Sequence, residues 1–452
     1  MAFLYHNIIK NQAQLSAVQR VFSILALDKT SQKIYKLQHN EIFIEFVFFT
    51  TYYLLTKSIT LMLKKVLENG ITLVCCESNG SGFEVSLTIK SGHQNEPKLG
   101  LAALYENIVA QQAQGSISTV YGGNITSFFT GGSMSELSKK LNLLWHLCSH
   151  PVVSDDTVTE SANDIIQHTM DLAGVPMRQT KLAYKHTAFS QNEIVWNTEE
   201  YIKRVTALTP DDVNDYIKTC YVGKNLIIGY SGPESSFERV EKLVTQLFGK
   251  LPEGKRSPVG NLLYTGGYQD IPGNGSIQIA MFGWDISRLS NFAETNVLMS
   301  MLSARLERAL TPLKATSEVK IAGYFGYRTL RICVSCMNRN NFKKVLDVVC
   351  ENVRRITHED ASDRRIETSR QRAMTERLAI SNEALPLSVH AAWLHLKRGI
   401  DYDNDRCIRN IWRTTASDVR DKALDIFTKK MTCVVYGAHE SYDDLLAKMD
   451  LH

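Results

Sequence analysis

A segment in the first half of this chain recurs in the second half without a gap. Thr209-Pro210-Asp211-Asp212-Val213-Asn214-Asp215, continuing to Asn225-Leu226-Ile227-Ile228-Gly229-Tyr230-Ser231-Gly232, aligns on Thr415-Ala416-Ser417-Asp418-Val419-Arg420-Asp421, continuing to Met431-Thr432-Cys433-Val434-Val435-Tyr436-Gly437-Ala438. Each copy reads as a threonine-capped helix followed by a buried strand that ends at a tyrosine. With 452 residues the chain exceeds one ordinary core, and the repeat divides it into two homologous halves.

The flanking patterns correspond in kind. In the first half, Asn69-Gly70 reads as a turn feeding a strand, and Phe83, Val85, Leu87 and Ile89 share one face of the next strand. A helix runs through Glu106, and 115–129 reads as two short strands around Gly122-Gly123. Met134, Leu137, Leu141, Leu144 and Cys148 mark an amphipathic helix that stops at Pro151, and a second helix starts at Asp155 behind Ser154 or Asp155 as cap. The second half offers a strand near 277–282, a helix near 291–310, a strand near 327–336, and a helix over 341–356 with Phe342, Val345, Val349 and Val353 on one face. Strands followed by helices on one covalent unit predict an α+β fold. We expect two α/β sandwich halves forming a clamshell, each a mostly antiparallel sheet with helices on one face. The expected divisions are an N-terminal extension over 1–61, a first domain over 62–250, a linker over 251–272 bearing Gly and Pro, and a second domain over 273–452.

Composition narrows the function classes. The chain has 51 basic and 47 acidic residues, a net charge of +4, and no Lys/Arg stripe interleaved with aromatics, so nucleic acid is excluded as a partner. Its nine cysteines are scattered through apolar surroundings, the pattern of buried thiols in a reducing compartment. The single C-x-x-C, Cys333 to Cys336, lies in a strand-like run that points its two thiols to opposite faces, which argues against a zinc knuckle. Residues 1–27 lack acidic side chains and carry Lys10 and Arg20, a weak targeting signal. Within 42–63 only Glu45 and Lys57 are ionisable, and two readings stay open for it, a membrane span and an extension packed on the domain or on a partner.

The candidate site is a helix that has the frame of His-x-x-Glu-His without its histidines: Ala103-Leu104-Tyr105-Glu106-Asn107. Around it, Leu67-Glu68-Asn69-Gly70-Ile71, the run from Ile89-Lys90-Ser91-Gly92 through Glu96 to Gly100-Leu101-Ala102, and the edge-strand stretch Gly115-Ser116-Ile117-Ser118-Thr119 stand in order and at spacing that resemble the pitrilysin-like (M16) metallopeptidases. The resemblance covers about 64 to 445. Small members of that family include the subunits of the mitochondrial processing peptidase and the core subunits of respiratory complex III. In active relatives the two histidines bind zinc, the glutamate between them is the general base, and a glutamate on a later helix is the third ligand.

The resemblance places Ala103 and Asn107 at the two histidine positions and Thr169 at or beside the third ligand, next to His168, while Glu106 keeps the place of the base. Alanine offers no donor atom, and a neutral amide is a poor zinc ligand. The site is therefore expected to be degenerate, with no catalytic residue, no bound metal and no cofactor, and Glu106 is expected to be a solvated helix carboxylate. His93, His146, His150 and His186 show no pairing at ligand spacing. Active relatives also grip the substrate carbonyl with an Arg/Tyr pair; Arg305, Tyr324 and Tyr327 lie in the matching region, where packing is the simpler reading of the aromatics.

What the resemblance implies is a non-catalytic subunit that pairs with a related M16-type subunit in the mitochondrion, on the matrix side of the inner membrane. In the complex III role it would support membrane-bound subunits. Two alternatives remain: the substrate-binding subunit of the processing peptidase, holding presequence peptides, and a divergent zinc metalloendopeptidase. That non-catalytic processing subunit carries a Gly-rich loop, and the corresponding stretch, 301–319, has no glycine, which favours the complex III role.

Overall fold

The computed structural model describes residues 62–450 apart from 79–80, 94, 124, 190–196, 256, 258–262, 274, 288–291, 325–326, 383–388, 390–391 and 393–403. The extension over 1–61, with its targeting reading and nearly all of the apolar stretch 42–63, lies outside the described residues. Among the described residues no helix is long and apolar enough to cross a membrane.

The first half begins with β1 (Met62–Val66), β2 (Thr72–Glu77) and β3 (Gly82–Ile89), then α1 (Leu101–Ala113). After β4 (Ser118–Tyr121) and β5 (Thr126–Ser133) come α2 (Leu137–Ser149), α3 (Asp155–Ala173), α4 (Pro176–Ala188), α5 (Thr198–Thr206) and α6 (Pro210–Cys220), and β6 (Leu226–Gly232) and α7 (Phe237–Phe248) close it. The second half runs β7 (Gly267–Ile271), β8 (Gln278–Asp285), α8 (Ala293–Leu310), β9 (Ala315–Tyr324), β10 (Tyr327–Cys336), α9 (Arg339–His358), α10 (Asp363–Asn382), α11 (Asn404–Arg413), α12 (Ala416–Phe427), β11 (Met431–Tyr436) and α13 (Tyr442–Met449). The stretch 251–272 thus contributes β7 to the second half.

The repeat is realised in five strands of each half, and β1 of the first sheet has no counterpart among the described residues. The first sheet has the order β1-β2-β6-β3-β5-β4 and the second β7-β11-β8-β10-β9. β6 pairs parallel with β2 and antiparallel with β3; β11 pairs parallel with β7 and antiparallel with β8. Both repeated strands are buried along their whole length. The helix before each is opened by the same device, Thr209 with Asp212 on α6 and Thr415 with Asp418 on α12, each threonine and aspartate satisfying the other's backbone N–H.

Each sheet carries the expected helical layer. On the first, Leu104, Tyr105 and Ile108 of α1, Leu141 and Leu144 of α2, and Val240 and Val244 of α7 pack with Val85 and Leu87 of β3. On the second, Val297 and Leu302 of α8, Phe342 and Val349 of α9, and Ala423 of α12 pack with Phe282 and Ile332. Each such large apolar side chain contributes roughly 1.5–3 kcal/mol by leaving water.

The opposite faces are also covered, and by the other half. Helix α4 of the first half lays Ala183, Tyr184 and Ala188 on Ile279, Met281, Cys333 and Val434 of the second sheet. Gly283 makes room for it, since a Cβ there would come within 1.8 Å of the Tyr184 hydroxyl oxygen. Ala392 of the second half packs on Val74, Cys76 and Ile227 of the first sheet. The halves are interlocked by this exchange.

The sheets also explain the thiols. Cys333 joins the cluster under α4 while Cys336 joins the core under α8, on the opposite face. None of the nine cysteines is in a disulfide, and all but Cys407 are buried. Burial pushes the thiols of Cys75 and Cys76 up to about 12, so neither is a thiolate at neutral pH.

Candidate functional site

Helix α1 is positioned by the loop before it. Gly100 enters the helix at φ 96°, a left-handed conformation that suits glycine. Glu96 reaches back so that Oε1 accepts from the Gly100 N–H at 2.9 Å and Oε2 from the Ala102 N–H at 2.7 Å. A carboxylate there satisfies two of the donors a helix start leaves free. Burial pushes the Glu96 carboxyl up to about 7, and those two hydrogen bonds hold it from going higher. Tyr105 fixes the other side: its hydroxyl donates to the Cys148 carbonyl of α2, and its ring packs edge-on against Tyr221 at 4.7 Å.

The face of α1 that carries positions 103 and 107 continues, one turn on, to Gln111. Gln111 Nε2 donates to Asp164 at 2.9 Å, and its Oε1 accepts from the Ser161 hydroxyl at 2.9 Å. This ties α1 to α3, the helix whose buried stripe includes Val158, Ser161, Ala162 and Thr169. Ala103 is 8% exposed and Thr169 9%. Asn107 Oδ1 is shut away from solvent without a hydrogen-bond partner among the described residues. His168, beside Thr169, faces out and is exposed.

Glu106 differs from the expected solvated carboxylate. It is half-buried and accepts a hydrogen bond from the Thr119 hydroxyl of β4, the edge strand of the first sheet. Burial raises its carboxyl above the usual range, and the Thr119 bond opposes that rise.

The residues that the sequence resemblance sets at the ligand positions do not fit zinc. They offer one methyl group, one amide oxygen and one hydroxyl, and zinc sites in proteins are built from imidazole, thiolate and carboxylate. Among the described residues no group of three or more His, Cys, Asp or Glu could hold a metal ion. His93 is engaged otherwise: its ring sits 5.6 Å from that of Tyr121, and burial lowers its imidazole to about 3.

The region matched to the substrate-gripping pair divides. Arg305 is on α8, in the helical layer, with Arg355 and Arg365 near it. Tyr324 and Tyr327 are paired across the β9–β10 hairpin, and their side chains lie outside the described residues. Positions 301–319, which the sequence resemblance matches to the Gly-rich loop, are the end of α8, a 3-10 turn over Thr311–Leu313, and the start of β9.

Two interactions at this site carry no motif: Thr119 to Glu106, and Gln111 to Ser161 and Asp164. The only sequence signal for the second is the i+4 spacing of Gln111 from Asn107.

Residues 207–373 match the family described as peptidase M16 inactive domain. That match runs from just before α6 into α10 and does not include α1. A chain of complex III2 from Candida albicans, solved with Inz-5 bound, superposes with a TM-score of 0.76 at 12% identity, covering 86% of this chain and 99% of that one. A protease from Helicobacter pylori superposes with a TM-score of 0.72 at 14% identity, covering 84% of this chain and 100% of that one. No curated protein sequence matches the chain.

Proposed function

From this M16-like chain, which carries a peptidase M16 inactive domain on a fold shared with both an assembly subunit and a protease, we infer a non-catalytic role. We propose a structural core subunit of mitochondrial complex III, on the matrix side of the inner membrane. It would pair with a related M16-type subunit and support membrane-bound subunits.

One observation carries the reading. Ala103, Asn107 and Thr169 present no zinc-binding set, and the one catalytic-type residue kept, Glu106, is hydrogen-bonded to Thr119. A general base needs an activated water to act on, and in this class of chemistry the metal supplies it. Two interlocked sheets with buried opposite faces suit a rigid framework. The regular structure of 301–319 favours the complex III role over a peptide-presenting one.

Native purification of the full chain in mild detergent, followed by mass spectrometry, tests this. Cytochrome-bearing membrane subunits together with an M16-type companion are the expected partners. A single companion with an intact His-x-x-Glu-His, and no membrane subunits, would assign the chain instead to presequence binding in a processing peptidase. Isolation alone with peptidase activity would make it a divergent metalloendopeptidase.

A further inference from the structure

The helical layer of the second half holds a cleft of about 740 Å³ between α8, α9 and the start of α10. Five arginines line it: Arg305 and Arg308 of α8, Arg355 of α9, and Arg364 and Arg365 of α10. No lysine and no carboxylate stands among its lining residues.

The charges are largely uncompensated. Arg355 is held by Glu359 at 3.1 Å, but Arg305, Arg308, Arg364 and Arg365 make no ion pair among the described residues. Nearby carboxylates are committed elsewhere, Glu307 to Arg372 at 3.6 Å and Asp360 to Arg420 at 3.0 Å. Arg305 is the most confined of the five. Its Nε and Nη1 are shielded from solvent with no hydrogen-bond partner among the described residues, a costly state for a charged donor. The hydroxyls of Thr368 and Ser369 do not compete, since they donate to the Arg364 and Arg365 carbonyls, each at 2.8 Å.

We propose that this cleft binds a compact anion bearing two phosphate groups. Four unpaired guanidinium groups call for a ligand of high negative charge, more than a dicarboxylate supplies. Their planar forks chelate phosphate oxygens two at a time, which a lysine cannot do. The volume lies in the range of small-molecule sites and exceeds what one phosphate fills. Burial and the neighbouring Arg365 and Arg355 lower the Arg305 guanidinium, and Glu359, already bonded to Arg355, opposes that only in part, a strain that such an anion relieves. The cleft is remote in sequence from Ala103–Asn107 and owes nothing to the peptidase site.

Isothermal titration of the full chain with inorganic pyrophosphate, at fixed ionic strength, reads the site directly. Saturable binding at one per chain is expected, weakened about tenfold or more in Arg305→Gln and in the exposed Arg365→Gln, each loss near 1.4 kcal/mol. Because Arg365 is exposed, its variant keeps the test usable if Arg305→Gln fails to fold. Flotation with phosphatidylcholine vesicles, with and without diphosphatidylglycerol, separates the sources: vesicle binding without pyrophosphate binding assigns a lipid headgroup, and pyrophosphate binding assigns a soluble ligand. Failure to bind either probe overturns the proposal. So does citrate binding as tightly as pyrophosphate, or unchanged binding in both variants.

Discussion

The Thr119 hydroxyl donates to the Glu106 carboxylate, joining the edge strand β4 to the face of α1 that the sequence resemblance matches to a peptidase base. The bond fits a structural role for Glu106. Thr119→Val leaves a half-buried carboxylate without its donor and is expected to cost about 1–2 kcal/mol in urea unfolding. Glu106→Gln keeps an acceptor for Thr119 and is expected to cost less than about 1 kcal/mol. Loss of a peptidase turnover in Glu106→Gln would contradict this assignment.

Glu96 gives the fold a pH dependence. Its folded value of about 7 lies above the ordinary 4.5, so between these limits the folded chain holds a proton that the unfolded chain has released. The stability it confers is full below about pH 4.5 and declines as pH rises to about 7, by up to about 3 kcal/mol. Glu96→Gln imitates the protonated form and is expected to remove that decline in unfolding curves taken across the window. His93 acts in the opposite sense: lowered to about 3 from 6.5, it stabilises above pH 6.5 and loses that contribution as pH falls. The difference between parent and Glu96→Gln isolates the carboxyl.

Equivalent caps in the two halves should behave alike. Thr209→Ala and Thr415→Ala each remove a reciprocal cap and are each expected to cost about 1 kcal/mol by chemical denaturation. The two losses should add, because the caps share no contact.

Much of this was legible in the sequence because it rests on local pattern. The repeat fixed which strands occupy equivalent central positions, and the alternation at Phe83, Val85, Leu87 and Ile89 fixed the core face of β3. What stayed hidden depends on contacts between distant segments. Nothing in 176–188 announces that α4 crosses to the second sheet, and Gly283 carries no local sign that it seats Tyr184. At the candidate site, the alanine, asparagine and threonine at positions 103, 107 and 169 are visible as residue types. The Thr119 bond that draws Glu106 out of solvent appears only when β4 is placed beside α1. Strand β9 also escaped, since Ala315–Tyr324 mixes charged and small residues on an edge strand that has one partner.

The crossing of α4 is testable at Gly283. A methyl group there meets the Tyr184 ring and hydroxyl, and overpacking of this kind typically costs about 1–3 kcal/mol. Gly283→Ala is expected to lower the melting temperature and to speed proteolytic cleavage around α4, leaving the α1–α3 contact unaffected.

Asn107 buries a carbonyl oxygen with no partner among the described residues. Asn107→Leu has nearly the same shape and no polar atom to desolvate, so a gain of about 1 kcal/mol is expected in thermal unfolding. A large loss would show that the amide makes a contact the folded chain depends on.

Ala103, Asn107 and Thr169 are expected not to hold zinc. Equilibrium titration of the purified full chain with zinc, followed by exhaustive dialysis and elemental analysis, tests it most directly. The expected result is no stoichiometric zinc retained; one zinc per chain retained, and lost on Glu106→Gln or Thr169→Val, would contradict it.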